Sequence, residues 1–153
     1  MSAYQFITVP EMENTCLGFD LSTQQLKVVA INEALEVVAD AHVQFDTDLP
    51  EFGTCGGVNT SGDVVTAKPV MWTKALDLLL QKLVDSKFNF STVVVLSGCA
   101  QQLGSVYWGS GSGHRLATMN PSSQLTTQME TSSIFSVPCS PVWLDSSSTW
   151  SAR

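Results

Sequence analysis

Charge is what this chain has little of. Of 153 residues, 7 are Lys or Arg and 14 are Asp or Glu; at 14% this is well under the roughly 25% usual for soluble domains. Ser, Thr and Gln carry much of the polar surface instead. With so few cations and a net charge of −7, no phosphate-tracking stripe can form, so neither a nucleic-acid partner nor docking on anionic lipid is expected. Long apolar runs are missing too. The longest aliphatic stretch outside a charged helix is Val93 to Leu96, far short of the roughly 20 residues of a membrane helix. Residues 1–15 have no basic segment and carry Glu11 and Glu13, which fits neither a secretory nor a transit peptide and points to a cytoplasmic protein. The four cysteines (Cys16, Cys55, Cys99, Cys139) lie far apart, with no C-x-x-C pair and no His at ligand spacing. No zinc site is expected, and the thiols read as reduced and mostly buried.

What is present is enough apolar side chain, 44%, to bury the core of one domain. Residues 1–15 read as a polar tail. Cys16 to Asp20, Leu26 to Ile31 and Val37 to Phe45 read as three strands, the first two joined across Leu21–Gln25 and the last two across Asn32–Glu36. From Asp46 to Lys68, Pro50, Gly53, Gly56, Gly57 and Gly62 mark a long irregular excursion, of the kind that is functional or holds small elements of its own. Pro69 to Val84 is the clearest helix. Trp72, Ala75, Leu76, Leu79, Leu80 and Leu83 make one apolar stripe opposite Thr73, Lys74, Asp77 and Gln81, and Pro69 suits the first turn. Val93 to Ser97 reads as an apolar strand stopped by Gly98. Ser105 to Trp108 is a further strand candidate, Gly109 to Gly113 a surface loop, Leu125 to Phe135 weakly helical and Pro138 to Asp145 extended. The order β-β-β-α-β, three sequential strands and then a crossover helix into a strand running parallel, predicts a mixed sheet covered by helices. A doubly wound sheet would alternate strand and helix from the start.

Neither a P-loop nor a G-x-S-x-G elbow is present. Gly109, Gly111 and Gly113 miss the dinucleotide-binding spacing. His42 and His114 read as packed or solvated, and Asp46, Asp48 and Glu51 as solvated carboxylates on an exposed loop. Asp20-Leu21-Ser22-Thr23 stands apart: a carboxylate ends a buried strand and two hydroxyl residues follow in a tight turn. Turn amides and hydroxyls can wrap an anion, and the carboxylate can hold Mg²⁺ or its waters against the phosphates. An ordinary Ser turn closing a hairpin would look the same.

The run Leu17 to Gln25 with Lys27-Val28-Val29 resembles the opening of the FGGY carbohydrate kinases, the eukaryotic xylulokinases in particular. The likeness continues through Phe45 to Thr54, Gly56 to Val58, Met71-Trp72 with Ala75 to Asp77, Leu96 to Gln102, Gly104 to Trp108 and Ser140 to Ser147. That covers nearly the whole chain after the tail. The resemblance implies an α/β ribonuclease-H-like fold of the actin and hexokinase type, with residues 16–153 as an incomplete N-terminal kinase domain and the second domain absent. It implies phosphoryl transfer from MgATP to D-xylulose, giving D-xylulose 5-phosphate. Asp20, Ser22, Thr23 and Gln24 match the family's phosphate turn, with Asp20 holding Mg²⁺ through water. Gln101, Gln102 and Leu103 match its sugar loop, and Trp143 and Asp145 its W-x-D segment beside the sugar. The catalytic base is expected in the missing domain, so this chain alone is not expected to catalyse. One departure falls in the site: the family loop reads Gln-Gln-His-Gly, and Leu103 takes the place of the His. A silent sugar- or nucleotide-binding relative, or a non-functional truncated product, is the alternative.

Overall fold

The computed structural model describes residues 13–102 and 104–142. Strands β1 (Thr15–Leu21), β2 (Gln25–Asn32) and β3 (Val37–Gln44) run antiparallel in succession, with Leu21 opposite Leu26 and Lys27 opposite His42. Asn32 shapes the second connection: its side-chain oxygen accepts from the Glu36 amide at 2.9 Å, and Leu35 takes a positive φ of 63°. The excursion after β3 does hold small elements: a one-turn helix α1 (Phe45–Asp48), a 3-10 turn (Pro50–Phe52), and the short strands β4 (Asn59–Ser61) and β5 (Val64–Ala67).

Helix α2 (Pro69–Asp85) crosses the sheet and leads to β6 (Val93–Ala100), which pairs in parallel with β1. The main sheet therefore has the order β3-β2-β1-β6, the mixed, helix-covered sheet predicted from the element order and consistent with the α/β fold that the resemblance implies. Leu17, Leu26, Val28, Ala30 and Val43 on one sheet face pack on Met71, Ala75, Leu79 and Leu83 of α2, all 5% exposed or less. The helix ends in a Schellman turn: the Phe88 amide donates to Leu83 O and the Lys87 amide to Val84 O, with Lys87 at φ 64°. Beyond β6 come α3 (Ser112–Ala117), α4 (Leu125–Thr131) and β7 (Ser140–Pro141), the last joining β4 and β5 in a second small sheet. Asp77 of α2 accepts from the Thr126 amide and hydroxyl at 2.8 and 2.6 Å, tying α4 to the helix.

Four expectations are corrected. β6 does not stop at Gly98, because β1 supplies a pairing partner as far as Ala100. Ser105 to Trp108 is not a strand. Trp108 makes one isolated bridge, to Phe135, and stacks on that ring at 5.4 Å. The Gly109–Gly113 segment leads into a helix: Gly111 takes the N-cap position at φ 77°, and α3 starts at Ser112, whose hydroxyl donates to Gly109 O and Ile134 O. The cysteines are not mostly buried: Cys55 and Cys99 are exposed, and Cys16 and Cys139 half-buried. Among the described residues β6 pairs only with β1, and its side chains are largely uncovered: Cys99 is exposed, and Val94 and Leu96 are 58% and 67% exposed. Between α2 and the β1–β6 pair lies an apolar groove of about 760 Å³, lined by Phe19, Trp72, Leu76, Leu80, Val93 and Leu96.

Candidate functional site

Because β1 and β6 are parallel, their carboxyl ends emerge side by side. In open α/β sheets ligands sit outside such strand ends. The register sets Asp20 opposite Cys99 and Leu21 opposite Ala100, and the Gln101 amide donates to Leu21 O at 2.8 Å. Asp20, the 22–24 turn and Gln101-Gln102 thus share one edge of the molecule, although about 80 residues separate them in sequence. The Cys99 thiol donates to Asp20 Oδ1 at 3.5 Å and to Phe19 O at 3.7 Å. The Asp20 carboxylate beside it pushes the Cys99 pKa up, which keeps the thiol protonated and able to donate.

The turn itself divides its labour. Ser22 donates from both its amide and its hydroxyl to Gln25 O, at 3.0 and 3.1 Å, so this hydroxyl closes the hairpin. Thr23 and Gln24 form the tip. Their amides and the Thr23 hydroxyl donate to no protein acceptor among the described residues, which leaves these donors at the turn for a ligand. On the β6 side, Gln101 Oε1 is buried with no hydrogen-bond partner among the described residues, and Gln102 is exposed. Gly104 bridges Val142, whose amide also donates to Val65 O at 3.0 Å, so the two short segments around residues 104 and 142 lie side by side. Leu103, Trp143 and Asp145 lie outside the described residues.

Of the Asp46–Glu51 carboxylates, Asp48 and Glu51 are exposed as expected and Asp46 is half-buried. Each has its own partner. Asp48 pairs with Lys82 at 3.0 Å and accepts from the Gln44 amide, and Glu51 pairs with Lys74. Asp46 gathers three donors: the Thr54 hydroxyl at 2.6 Å, the Gly56 amide at 2.7 Å and the Gly57 amide at 3.0 Å. The Thr54 hydrogen bond, helped by the two glycine amides, holds the Asp46 carboxyl below its ordinary range. Lys82 does the same for Asp48, and Lys74 for Glu51. No charge pattern announces the Asp46 arrangement in the sequence. The one available signal is the block from Phe45 to Val58, which carries family likeness without an assigned role.

No group of three or more metal-ligating side chains occurs among the described residues, so the chain holds no all-protein cation cage there. A single strand-end carboxylate such as Asp20 does suit Mg²⁺, which keeps waters and takes other ligands from phosphates. No helix among the described residues is long and apolar enough to cross a membrane.

No family model matches the chain. A xylulose kinase of Mus musculus is 49% identical over 136 residues, which is 88% of this chain and 24% of that protein. A solved xylulose kinase from Brucella ovis superimposes with a TM-score of 0.50 at 26% identity, over 63% of this chain and 18% of that one. A solved glycerol kinase from Plasmodium falciparum with ADP covers 92% of this chain and 23% of its own at a TM-score of 0.50. Its 17% identity speaks to the fold alone. The chain spans about a quarter of the length of the curated relatives it matches.

Proposed function

Starting from a chain homologous to the N-terminal quarter of xylulose kinases of the FGGY family, we propose that it is the phosphate- and sugar-facing part of an ATP-dependent kinase that converts D-xylulose to D-xylulose 5-phosphate. The observation that carries this reading is the meeting of the Asp20–Gln24 turn and Gln101-Gln102 at adjacent ends of parallel strands. Phosphoryl transfer depends on positioning and charge neutralisation more than on covalent work by the protein. The turn would take the phosphate end of MgATP, Thr23 and Gln24 through their amides and Ser22 by holding the turn closed. Asp20 would hold the waters of Mg²⁺, and that ion would neutralise phosphate charge. Gln101 and Gln102, with Trp143 and Asp145, would orient the sugar, and a base from the remaining three quarters of the relatives' length would take the hydroxyl proton. By itself this chain is then inactive, and xylulose-dependent ATP turnover by the purified chain refutes the assignment of the base.

The decisive experiment joins this chain to the remaining part of the Mus musculus relative and substitutes Asp20→Asn. A Mg²⁺-holding carboxylate predicts a kcat loss of roughly 10²-fold or more, with the sugar KM little changed. A variant that melts earlier yet keeps its kcat would assign Asp20 to hairpin closure and reject the reading. The second reading, a silent sugar- or nucleotide-binding relative, is favoured by Leu103 at the position where the family loop has His. It predicts ligand binding by the joined protein without turnover.

A further inference from the structure

We propose that Asp46 is a positioning residue for the Thr23–Gln24 turn and acts on it through the Gly56–Gly57 backbone; the inference rests on reading that turn as phosphate-facing. Two contacts join the loop to the turn. The Phe45 amide donates to Gln24 O at 2.9 Å, so the residue before Asp46 is fastened to the turn backbone. Gly57 also lies against the turn. A Cβ on Gly57 would fall 2.0 Å from Thr23 O and 2.7 Å from Gln24 Cα, so only a glycine backbone approaches this closely. The Asp46 carboxylate joins the two contacts: Oδ2 takes the Gly56 amide at 2.7 Å, and Oδ1 takes the Gly57 amide and the Thr54 hydroxyl.

Gln24, Phe45, Asp46, Gly57 and Thr23 thereby close a ring around the turn. Remove the carboxylate, and two amides and a hydroxyl lose their common acceptor at once. The loop can then draw back from the turn. Anion recognition by backbone amides depends on holding them in place beforehand, because otherwise binding must also order them. The other acids of this segment do not share the task, since Asp48 is engaged by Lys82 and Glu51 by Lys74. The ring also accounts for the Phe45–Val58 block, which no catalytic role absorbs.

The test uses the whole chain, Mg-pyrophosphate as the probe, and the amide NMR signals of Thr23 and Gln24 as the readout. Asp46→Asn should weaken Mg-pyrophosphate at pH 7 about fivefold or more and displace both signals. Asp48→Asn, which removes a carboxylate outside the ring, should do neither. Thr54→Val keeps the carboxylate and is the milder perturbation. Without ligand, the Thr23 and Gln24 signals should step as Asp46 titrates, and Thr54→Val should move that step toward the ordinary carboxylate range. A role confined to general stability would leave these two amides without a step. Asp20→Asn separates the two ideas. If it weakens the probe while Asp46→Asn and Thr54→Val leave affinity and signals at wild-type values, the inference is overturned and the phosphate reading stands. If the probe disturbs no signal of the wild-type turn, the phosphate reading falls, and the ligand-free step alone then upholds or overturns the coupling of Asp46 to the turn.

Discussion

Gly57→Ala gives the sharpest check on the geometry around the turn. Gly57 sits at φ +81°, where an L side chain costs roughly 1–2 kcal/mol. Its new Cβ would also lie 2.0 Å from a backbone oxygen and 2.7 Å from a backbone carbon, so no flexible side chain can give way. Forcing such overlap apart costs about 1–3 kcal/mol. Against this, alanine restricts the unfolded chain and returns about 0.4–1 kcal/mol. The net loss is about 1–5 kcal/mol, a large share of the roughly 5–15 kcal/mol that holds a typical domain together. Gly62→Ala is the internal control, because Gly62 has a similar φ of +59° and nothing within 4 Å of its Cβ. It should lose only the conformational part, about 0–1.6 kcal/mol after the unfolded-state gain. Urea melts of both variants measure the difference through their midpoints at a common slope. If Gly57→Ala and Gly62→Ala agree within about 0.5 kcal/mol, a threshold set by the scatter of surface substitutions, the close approach of the loop to the turn is wrong.

Further outcomes follow from the packing, the carboxylates and position 103. Leu79→Ala, fully buried on the sheet-facing side of α2, should cost about 2–5 kcal/mol, whereas Leu96→Ala, exposed on β6, should stay within about 0.5 kcal/mol; equal losses in urea melts would contradict the difference in burial. Asp46, Asp48 and Glu51 all have depressed folded pKa values, so each adds stability above its unfolded pKa and loses it as pH falls through the folded one. Denaturation midpoints should therefore drop from about pH 4 downward, and less steeply in Asp46→Asn; an unchanged slope in that variant would count against the Asp46 network. In the protein joined to the remaining part of the mouse relative, Leu103→His should raise kcat/KM for xylulose roughly 5- to 150-fold, with a smaller gain for a deoxy analogue. Equal or lower xylulose activity rejects the sugar assignment of that position.

The parts of this fold that were legible in the sequence are those set by local periodicity. The three meander strands follow from apolar runs broken at Leu21–Gln25 and Asn32–Glu36, and α2 follows from its stripe. Even there, the buried line runs through Met71, Ala75, Leu79 and Leu83, while Trp72, Leu76 and Leu80 of the expected stripe line the groove. A stripe shows that a helix has an apolar face but not where its neighbour lies. The extension of β6 past Gly98 was invisible because its partner β1 lies some 80 residues earlier. The Asp46 ring was hidden for another reason: its acceptor is a carboxylate, but two of its three donors are backbone amides, which leave no residue-type signature. Of the site, the D-x-S-T turn was readable as a chemical possibility. What a single sequence could not give was the division of labour within it, with Ser22 closing the hairpin and Thr23 and Gln24 at the tip.

The parallel pairing of β1 with β6 has a consequence in time. The β1–β2–β3 meander joins neighbours across turns of a few residues, a search that closes in microseconds. Pairing Thr15 with Val93 must instead close a loop of nearly eighty residues, and that entropy is spent before the contact returns anything. The hairpin carrying Asp20 can therefore form early, while Gln101 reaches Leu21 only after α2 has laid itself across the sheet. By loop-closure entropy the two halves of the candidate site belong to different stages of folding, and the edge where they meet is expected among the last to be assembled.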